Sequence, residues 1–460
     1  MSNQNGNRSW THFVGIGGAG MSGLAKILLE KGNKVSGSDL VSSATTMNLS
    51  NLGAIIFQEH NSRHITKEID RVVISSAISL DNPEVQRAQS LGIPVLLRVE
   101  ILEELMKKQK GIAIAGSHGK TTTSSMVAWC LENNGWDPTI VIGGEANNLG
   151  KNAKLGQGEY VVAEADESDG SFLKLNPYIS IITNIENDHL DHYHSFENII
   201  LAFDDFLNNV SSGGFSILCL DSPANQILLE RHTNLITYGL SAGADYRAVN
   251  LELKSDYSKA TIHYKGTYLG AVKLMIPGEH NVYNALAAIA LCLELGLPFG
   301  KVVESLALFR GVKRRFQHLG TIKEVMVIDD YAHHPTEIKA VLGAARQLQK
   351  ENIWVVFQPH RFSRTQQLLE EFAGALSGEL KVILCDIYSA GEEPIDGITS
   401  ELIVKIINRE GNRAIYLPQQ EAIIKHLMDH VKPGDLVMTL GAGDIWQTGR
   451  RLLEELAREA

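Results

Sequence analysis

The stretch Ile112-Ala113-Ile114-Ala115-Gly116-Ser117-His118-Gly119-Lys120-Thr121-Thr122-Thr123 decides how the chain is read. A short apolar run predicts a buried strand, two glycines predict a tight turn, and the residues from Lys120 onward predict a helix. Glycines let backbone N–H groups face an anion, and the helix that follows adds the positive end of its dipole. Lys120 can neutralise phosphate charge, and the Thr121 hydroxyl can hold Mg²⁺. The full spacing of such a loop puts a glycine five residues before Gly119, where Ile114 stands; this is a shortened relative that uses Gly116. The segment predicts an ATP site lined by Gly116, Ser117, His118, Gly119, Lys120, Thr121 and Thr122.

The same strand–glycine–helix pattern occurs upstream as His12-Phe13-Val14-Gly15-Ile16-Gly17-Gly18-Ala19-Gly20-Met21-Ser22-Gly23. With Asp39 about twenty residues beyond, it fits a dinucleotide fingerprint. Close backbone approach to a pyrophosphate serves a nicotinamide or flavin cofactor and a UDP-sugar equally well, so both readings stand. Downstream, the apolar run Tyr160–Ala163 ends in Glu164-Ala165-Asp166-Glu167-Ser168-Asp169, four carboxylates in six residues. Ligands bind at the carboxyl ends of strands in open α/β sheets, so this string suits Mg²⁺ beside ATP better than it suits a plain acidic loop. Asn187-Asp188-His189-Leu190-Asp191-His192-Tyr193-His194 also follows a strand. Lacking cysteines or an HExxH spacing, its histidines favour one residue completing a Mg²⁺/ATP site, oriented by Asp188, with the others on the surface.

Strands alternating with helices along the chain predict βαβ units and a mainly parallel sheet. A short hairpin-like alternation falls between Tyr246 and Leu274, and a buried helix over Asn284–Leu293. The 460 residues, at about 150 per domain, imply three domains. Boundaries are expected at the basic stretch Lys107–Lys110 and near His318, giving domains 1–107, 108–317 and 318–460. In the third, Asp329-Asp330-Tyr331-Ala332-His333-His334-Pro335 joins a strand to a helix, and His360-Arg361-Phe362-Ser363-Arg364 places two arginines as a carboxylate clamp. A hydrophobic share of 44% excludes general disorder. Forty-two lysines and arginines against 53 aspartates and glutamates leave a net charge of −11, which excludes a general nucleic-acid binder. No apolar run is long enough to span a bilayer, and the polar, Asn-rich Met1–Arg8 predicts no export. Cys130, Cys219, Cys292 and Cys385 stand far apart in apolar settings, as buried thiols of a cytoplasmic protein do.

Together these segments resemble the Mur ligase family, over essentially the whole chain from the Gly15 loop to Gly443. The strings that carry the resemblance are Gly-Ser-His-Gly-Lys-Thr-Thr-Thr at 116–123, Glu-Ala-Asp-Glu-Ser-Asp at 164–169 and Asn-Asp-His-Leu-Asp at 187–191, with His-Asn-Val-Tyr-Asn-Ala at 280–285 and Arg-Arg-Phe at 314–316. Asp-Asp-Tyr-Ala-His-His-Pro at 329–335 and Gln-Pro-His-Arg-Phe-Ser-Arg-Thr at 358–365 resemble the alanine-adding branch. Several family members carry a carbamylated lysine some fifteen residues after the Asp-His-Leu-Asp string; Phe196–Phe203 has none, which fits that branch.

The resemblance implies an α/β fold of three domains: a Rossmann-like N-terminal domain, a central P-loop ATPase-type domain and a Rossmann-like C-terminal domain. It implies a cytoplasmic, ATP- and Mg²⁺-dependent ligase, monomer or homodimer, that joins L-alanine to UDP-N-acetylmuramate in peptidoglycan synthesis, without nucleic-acid or membrane partners. Gly15, Gly17, Gly18, Ala19, Gly20, Met21 and Ser22, with Arg98, would then hold the UDP-sugar. Lys120, Asn281, Arg315 and Asp330 would serve the nucleotide, and Thr121, Glu164 and His189 the magnesium. Tyr331, His360, Arg361 and Arg364 would meet the amino acid. Two other activities remain as alternatives, a ligase adding a preformed tripeptide to the same sugar nucleotide and a nicotinamide-dependent oxidoreductase using the Gly15 loop.

Overall fold

The computed structural model of the chain describes residues 9–458, apart from the side chain of Asp191; Met1–Arg8, where no export leader is expected, lies outside them. The fold is α/β, built on three sheets. In the first, five parallel strands run in the order Ile55–Gln58, Lys34–Asp39, Trp10–Val14, Arg71–Ile74, Val95–Leu97. Strand order reverses beside Trp10–Val14, so a crevice opens at its carboxyl end, where the Gly15 turn lies. Alternate residues of that strand serve opposite faces. Phe13 packs with Leu24, Ala25, Val99 and Leu102 on one side, and Val14 with Val72, Val85 and Ala88 on the other.

The second sheet has ten strands, with Lys110–Ala115 between Ile179–Ile182 and Tyr160–Glu164. Parallel register pairs Ile114 with Glu164 and Ala115 with Ile182. The turns after all three strands therefore emerge side by side. Lys110, expected in a linker, instead starts its strand, where its ammonium pairs with Glu159 at 2.7 Å. The expected hairpin is present: Ser258–Tyr264 and Thr267–Leu274 are neighbours joined by Lys265-Gly266, both with positive φ, the two-residue turn that matches strand twist. Helix Phe196–Asn208 is capped by Ser195, whose hydroxyl accepts the Asn198 N–H, and buries Ile199, Ile200 and Phe203 where the lysine-free stretch lies. Its Phe203 and Phe206 rings pack 5.2 and 4.9 Å from Phe172, contacts of about 0.5–1.5 kcal/mol each beyond simple burial.

One apolar core runs through the first two sheets and their helices, from Phe13 and Leu24 to Ala153, Val161 and Phe203. Accordingly, the chain through Val249, with Thr261–Ala271 and Tyr283–Leu308, forms one compact unit. The second unit comprises Asn250–Ala260, Val272–Val282 and the chain from Phe309 onward. It carries the third sheet, ordered Gln317–Ile322, Val325–Asp330, Leu436–Leu440, Ile353–Phe357, Lys381–Leu384, Arg413–Tyr416. All its pairings are parallel except the first. Among the described residues no helix is long and apolar enough to cross a membrane.

Candidate active site

The loop after Lys110–Ala115 is locked by its neighbouring strand end. Asn184 accepts the Ser117 N–H through its carbonyl and the His118 N–H through its side chain, each at 2.9 Å. Its amide and the Thr183 hydroxyl return hydrogen bonds to the His118 carbonyl, at 3.1 and 2.6 Å. Gly116 has φ of 127°, and a Cβ there would collide with Thr183 Oγ1 and the Asn184 backbone, so glycine is required. Gly119 caps helix Lys120–Asn133 without a side-chain bond, leaving the first helical amides for a ligand. Thr122 is buried in the first turn, and the Thr123 hydroxyl donates to Asn284 at 3.1 Å.

Lys120 folds back into this loop. Its ammonium donates to the carbonyls of Gly116 and Ser117, at 2.6 and 3.3 Å, and to Glu167 Oε1 at 2.8 Å. Burial works against the charge, but Glu167, Asp166 and Glu164 together outweigh it and raise the Lys120 pKa. The lysine is therefore held as a cation. Thr121 donates to Glu164 Oε1 at 2.7 Å, and the second oxygen of Glu164 accepts the Gly143 N–H. His189, in the left-handed conformation at φ of 58°, sets Nε2 3.6 Å from Glu167 and 3.5 Å from Asp188. Asp188 also accepts the His189 backbone N–H at 2.8 Å, while His192 and His194 are exposed.

These donors suit a magnesium ion. Thr121 and Glu164 offer hard oxygens at a separation close to the ~2.9 Å edge of an octahedron with 2.0–2.1 Å bonds. Among the described residues Glu167 Oε2 is buried with no hydrogen-bond partner, an acceptor that a cation would satisfy. Glu167 is the residue that sequence reasoning passed over. It stands in the acidic string, but only the fold distinguishes it from the other three carboxylates as the partner of Lys120.

The Gly15 turn is built differently. Ser38 accepts the N–H groups of Gly15 and Ile16 through its carbonyl, at 2.9 and 3.0 Å. Asp39, the acidic residue of the fingerprint, accepts the Gly17 N–H at 2.8 Å and so braces the loop itself. Gly18 caps helix Ala19–Glu30 with no side-chain bond, so the amides of Ala19, Gly20 and Met21 are uncapped. The Met21 and Ser22 side chains turn inward, and Ser22 Oγ donates to the Ala19 carbonyl. Arg98 lies over this helix start: a Cβ on Gly20 would come within 2.7 Å of its Nη1. Its Nη2 donates to Asp166 at 2.7 Å. Burial would push the Asp166 carboxyl up, but Arg98 and Lys120 hold it below the usual range. One guanidinium thus bridges the Gly15 turn and the acidic string around Lys120.

In the second unit, Asp330 ends its strand buried, accepting the N–H groups of Phe316 and Ala332 at 2.6 and 2.7 Å. Burial pushes its carboxyl up to about 6 against the pull of Arg315. Arg315 pairs with Glu337 at 3.4 Å, and the Arg314 and Arg315 guanidiniums lie 5.0 and 5.2 Å from the Tyr331 ring. Asn281 is buried in the first turn of helix Glu279–Glu294, its amide donating to the Pro277 carbonyl at 2.7 Å. Tyr331, His333, His360 and Tyr388 form a chain of ring contacts with centroids 5.4 to 5.6 Å apart. Burial, reinforced by Arg364 and Arg361, lowers the His360 pKa to about 4, so its imidazole is neutral. Arg361 opens the helix Phe362–Gln367 at φ of 70°, and its N–H donates to the Tyr388 carbonyl at 2.8 Å.

Comparisons with known proteins cover both units. Residues 11–110 match the Mur ligase family catalytic domain, 114–292 the Mur ligase middle domain, and 314–443 the glutamate ligase domain of Mur ligases. The chain is 50% identical over 449 residues to a UDP-N-acetylmuramate–L-alanine ligase of Desulforamulus reducens, covering 97% of each. It is 51% identical over 449 residues to another from Geotalea uraniireducens, with the same coverage. Among solved structures, the UDP-N-acetylmuramate-alanine ligase of Thermotoga maritima aligns with a TM-score of 0.85 at 32% identity, over 98% of this chain and 99% of that one. A murein peptide ligase of Psychrobacter arcticus aligns with a TM-score of 0.73 at 25% identity, over 97% and 98%.

Proposed function

Because the chain belongs to the Mur ligase family, we propose that it is the ATP-dependent ligase that joins L-alanine to the carboxylate of UDP-N-acetylmuramate. The observation that carries this reading in the geometry is Arg98, set on the Gly15 helix start and bonded to Asp166 in the shell around Lys120. Two anion-binding turns that share one guanidinium suit a reaction that brings two anionic substrates together. The tripeptide-adding alternative is not favoured, since identity to the murein peptide ligase is 25%, against 32% to 51% for the alanine ligases, and its TM-score is 0.73 against 0.85.

The chemistry follows from the leaving group. A carboxylate does not react with an amine because oxide would have to depart. A carboxylate oxygen of the muramoyl group attacks the γ-phosphorus of ATP, ADP leaves, and an acyl phosphate forms. The alanine amine then attacks the carbonyl carbon, and the tetrahedral intermediate expels phosphate. Lys120 and the uncapped first helical amides, from Lys120 to Thr122, bind the transferred phosphoryl group and offset charge as the anions approach. Thr121, Glu164 and His189, with Glu167 facing the same region, would hold Mg²⁺, which would supply further charge neutralisation. The uncapped amides of Ala19 to Met21, with Arg98, hold the UDP diphosphate.

In this reading residues 1–107 bind the sugar nucleotide, 108–317 ATP, and 318–460 the amino acid. Asn281, Arg315 and Asp330 serve the nucleotide. Arg361 and Arg364 clamp the alanine carboxylate, with Tyr331 and neutral His360 lining the place of its side chain and amine. The enzyme works in the cytoplasm, as a monomer or homodimer, in peptidoglycan precursor synthesis. The test is phosphate release by purified protein: it requires ATP, Mg²⁺, UDP-N-acetylmuramate and L-alanine together. Equal release without alanine, or with tripeptide in its place, would overturn the reading.

A further inference from the structure

Beneath the Gly15 turn lies a buried polar cluster that the chemistry above does not use. Glu84, in the first turn of helix Pro83–Ser90, has no exposed surface. One carboxylate oxygen accepts the Ser38 hydroxyl and lies 3.3 Å from His60 Nδ1. The other meets His64 Nδ1 at 2.6 Å and His12 Nε2 at 3.6 Å. These three histidines and Ser38 face it from the strands Trp10–Val14 and Lys34–Asp39 and from the segment after Ile55–Gln58. Burial pushes the carboxyl up, but His12 close by and hydrogen bonds from Ser38 and His64 hold it at about 2. A buried carboxylate persists only when paired in this way.

Ser38 connects this cluster to the loop. Its hydroxyl serves Glu84, while its carbonyl accepts the Gly15 and Ile16 N–H groups. The next side chain, Asp39, accepts the Gly17 N–H. Three consecutive loop amides therefore rest on a strand end that Glu84 anchors. We infer that Glu84 is a positioning residue for the sugar nucleotide: acting through Ser38, it fixes the Gly15–Gly17 backbone so that the uncapped amides of Ala19, Gly20 and Met21 converge on the diphosphate. This inference rests on the assignment of that turn to the UDP-sugar.

The test is calorimetric titration of UDP-N-acetylmuramate into the full chain without ATP, paired with steady-state kinetics. Glu84→Gln should weaken binding and raise the KM for UDP-N-acetylmuramate by about tenfold, leaving the KM for ATP and kcat at saturation within about twofold. A general loss of structure would move all of these together. Ser38→Ala, which removes only the connecting hydroxyl, should move the same KM in the same direction by a smaller factor, and it decides the matter if Glu84→Gln does not fold. Sugar-nucleotide binding within about twofold of wild type in a folded variant would overturn the role of Glu84 alone. Wild-type protein that does not bind UDP-N-acetylmuramate would overturn the assignment of the turn as well.

Discussion

The Gly15 and Gly116 turns both lead from a central parallel strand into a helix whose first amides are uncapped, yet they are charged in opposite ways. At Gly116 the chain supplies its own cation four residues on, and Lys120 is surrounded by Glu167, Asp166 and Glu164. At Gly15 no lysine stands in the turn; an aspartate braces the loop and the cation, Arg98, comes from a helix more than eighty residues away. In the proposed reading the shared backbone device serves anion binding at both turns, and the side chains differ because one anion would react while the other would only be held. A transferred phosphoryl group needs charge delivered against it and a metal beside it, whereas a diphosphate that stays intact needs position.

That contrast can be broken first at Lys120. Lys120→Ala should lower kcat by roughly 10³-fold while UDP-N-acetylmuramate still binds, as read by calorimetry. Loss of both together would mean that the two turns do not divide the work. Arg98→Ala should act in the opposite way, raising the KM for the sugar nucleotide by about 10–100-fold, the scale of one or two lost charged hydrogen bonds, with a smaller change in the KM for ATP. An equal effect on both would place Arg98 in the phosphoryl-transfer site.

Glu167→Gln sharpens the comparison through pH. Burial pushes the Lys120 pKa down and Glu167 is the foremost of the groups that push it up, for a net rise. Without the Glu167 charge burial gains ground, the pKa falls, and Lys120 loses its proton at lower pH. The alkaline limb of the kcat profile should therefore move toward neutrality, so that activity is lost first at the alkaline end and less near pH 7. An unmoved limb would show that the pair is only structural. The smallest effect is expected from Gly20→Ala. Its Cβ would press on the flexible end of Arg98 and not on backbone, so stability should change by less than about 1 kcal/mol while the KM for UDP-N-acetylmuramate rises several-fold. Gly116→Ala, meeting Thr183 and the Asn184 backbone, should lose stability in a thermal melt.

The two turns were also unequally legible. Both glycine patterns, the apolar strands before them and the acidic string at the end of Tyr160–Glu164 depend on neighbours in sequence, and so could be read directly. What Asp39 does could not: its spacing fits a ribose contact, but the parallel pairing of Lys34–Asp39 with Trp10–Val14 brings its carboxylate to the Gly17 N–H. Arg98 was expected only through family resemblance, because its place depends on how helix Arg98–Met106 packs against Ala19–Glu30. Glu167 was hidden among equivalent neighbours, and nothing near Glu84 in the sequence singles it out; only its burial against three histidines sets it apart. Strands Thr139–Ala146, Lys151–Lys154 and Arg413–Tyr416 also went unread, being glycine-interrupted or polar edge segments whose pairing comes from tertiary contact.

The claim that both turns serve one carboxylate activation is tested most directly by isotope transfer. UDP-N-acetylmuramate labelled with ¹⁸O in the muramoyl carboxylate is turned over with ATP, Mg²⁺ and L-alanine, and the released phosphate is analysed by mass spectrometry. The acyl-phosphate route predicts one ¹⁸O atom in each phosphate, carried from the carboxylate across the bond that Lys120 helps to form. Phosphate free of label, with ligated product still formed, would contradict it.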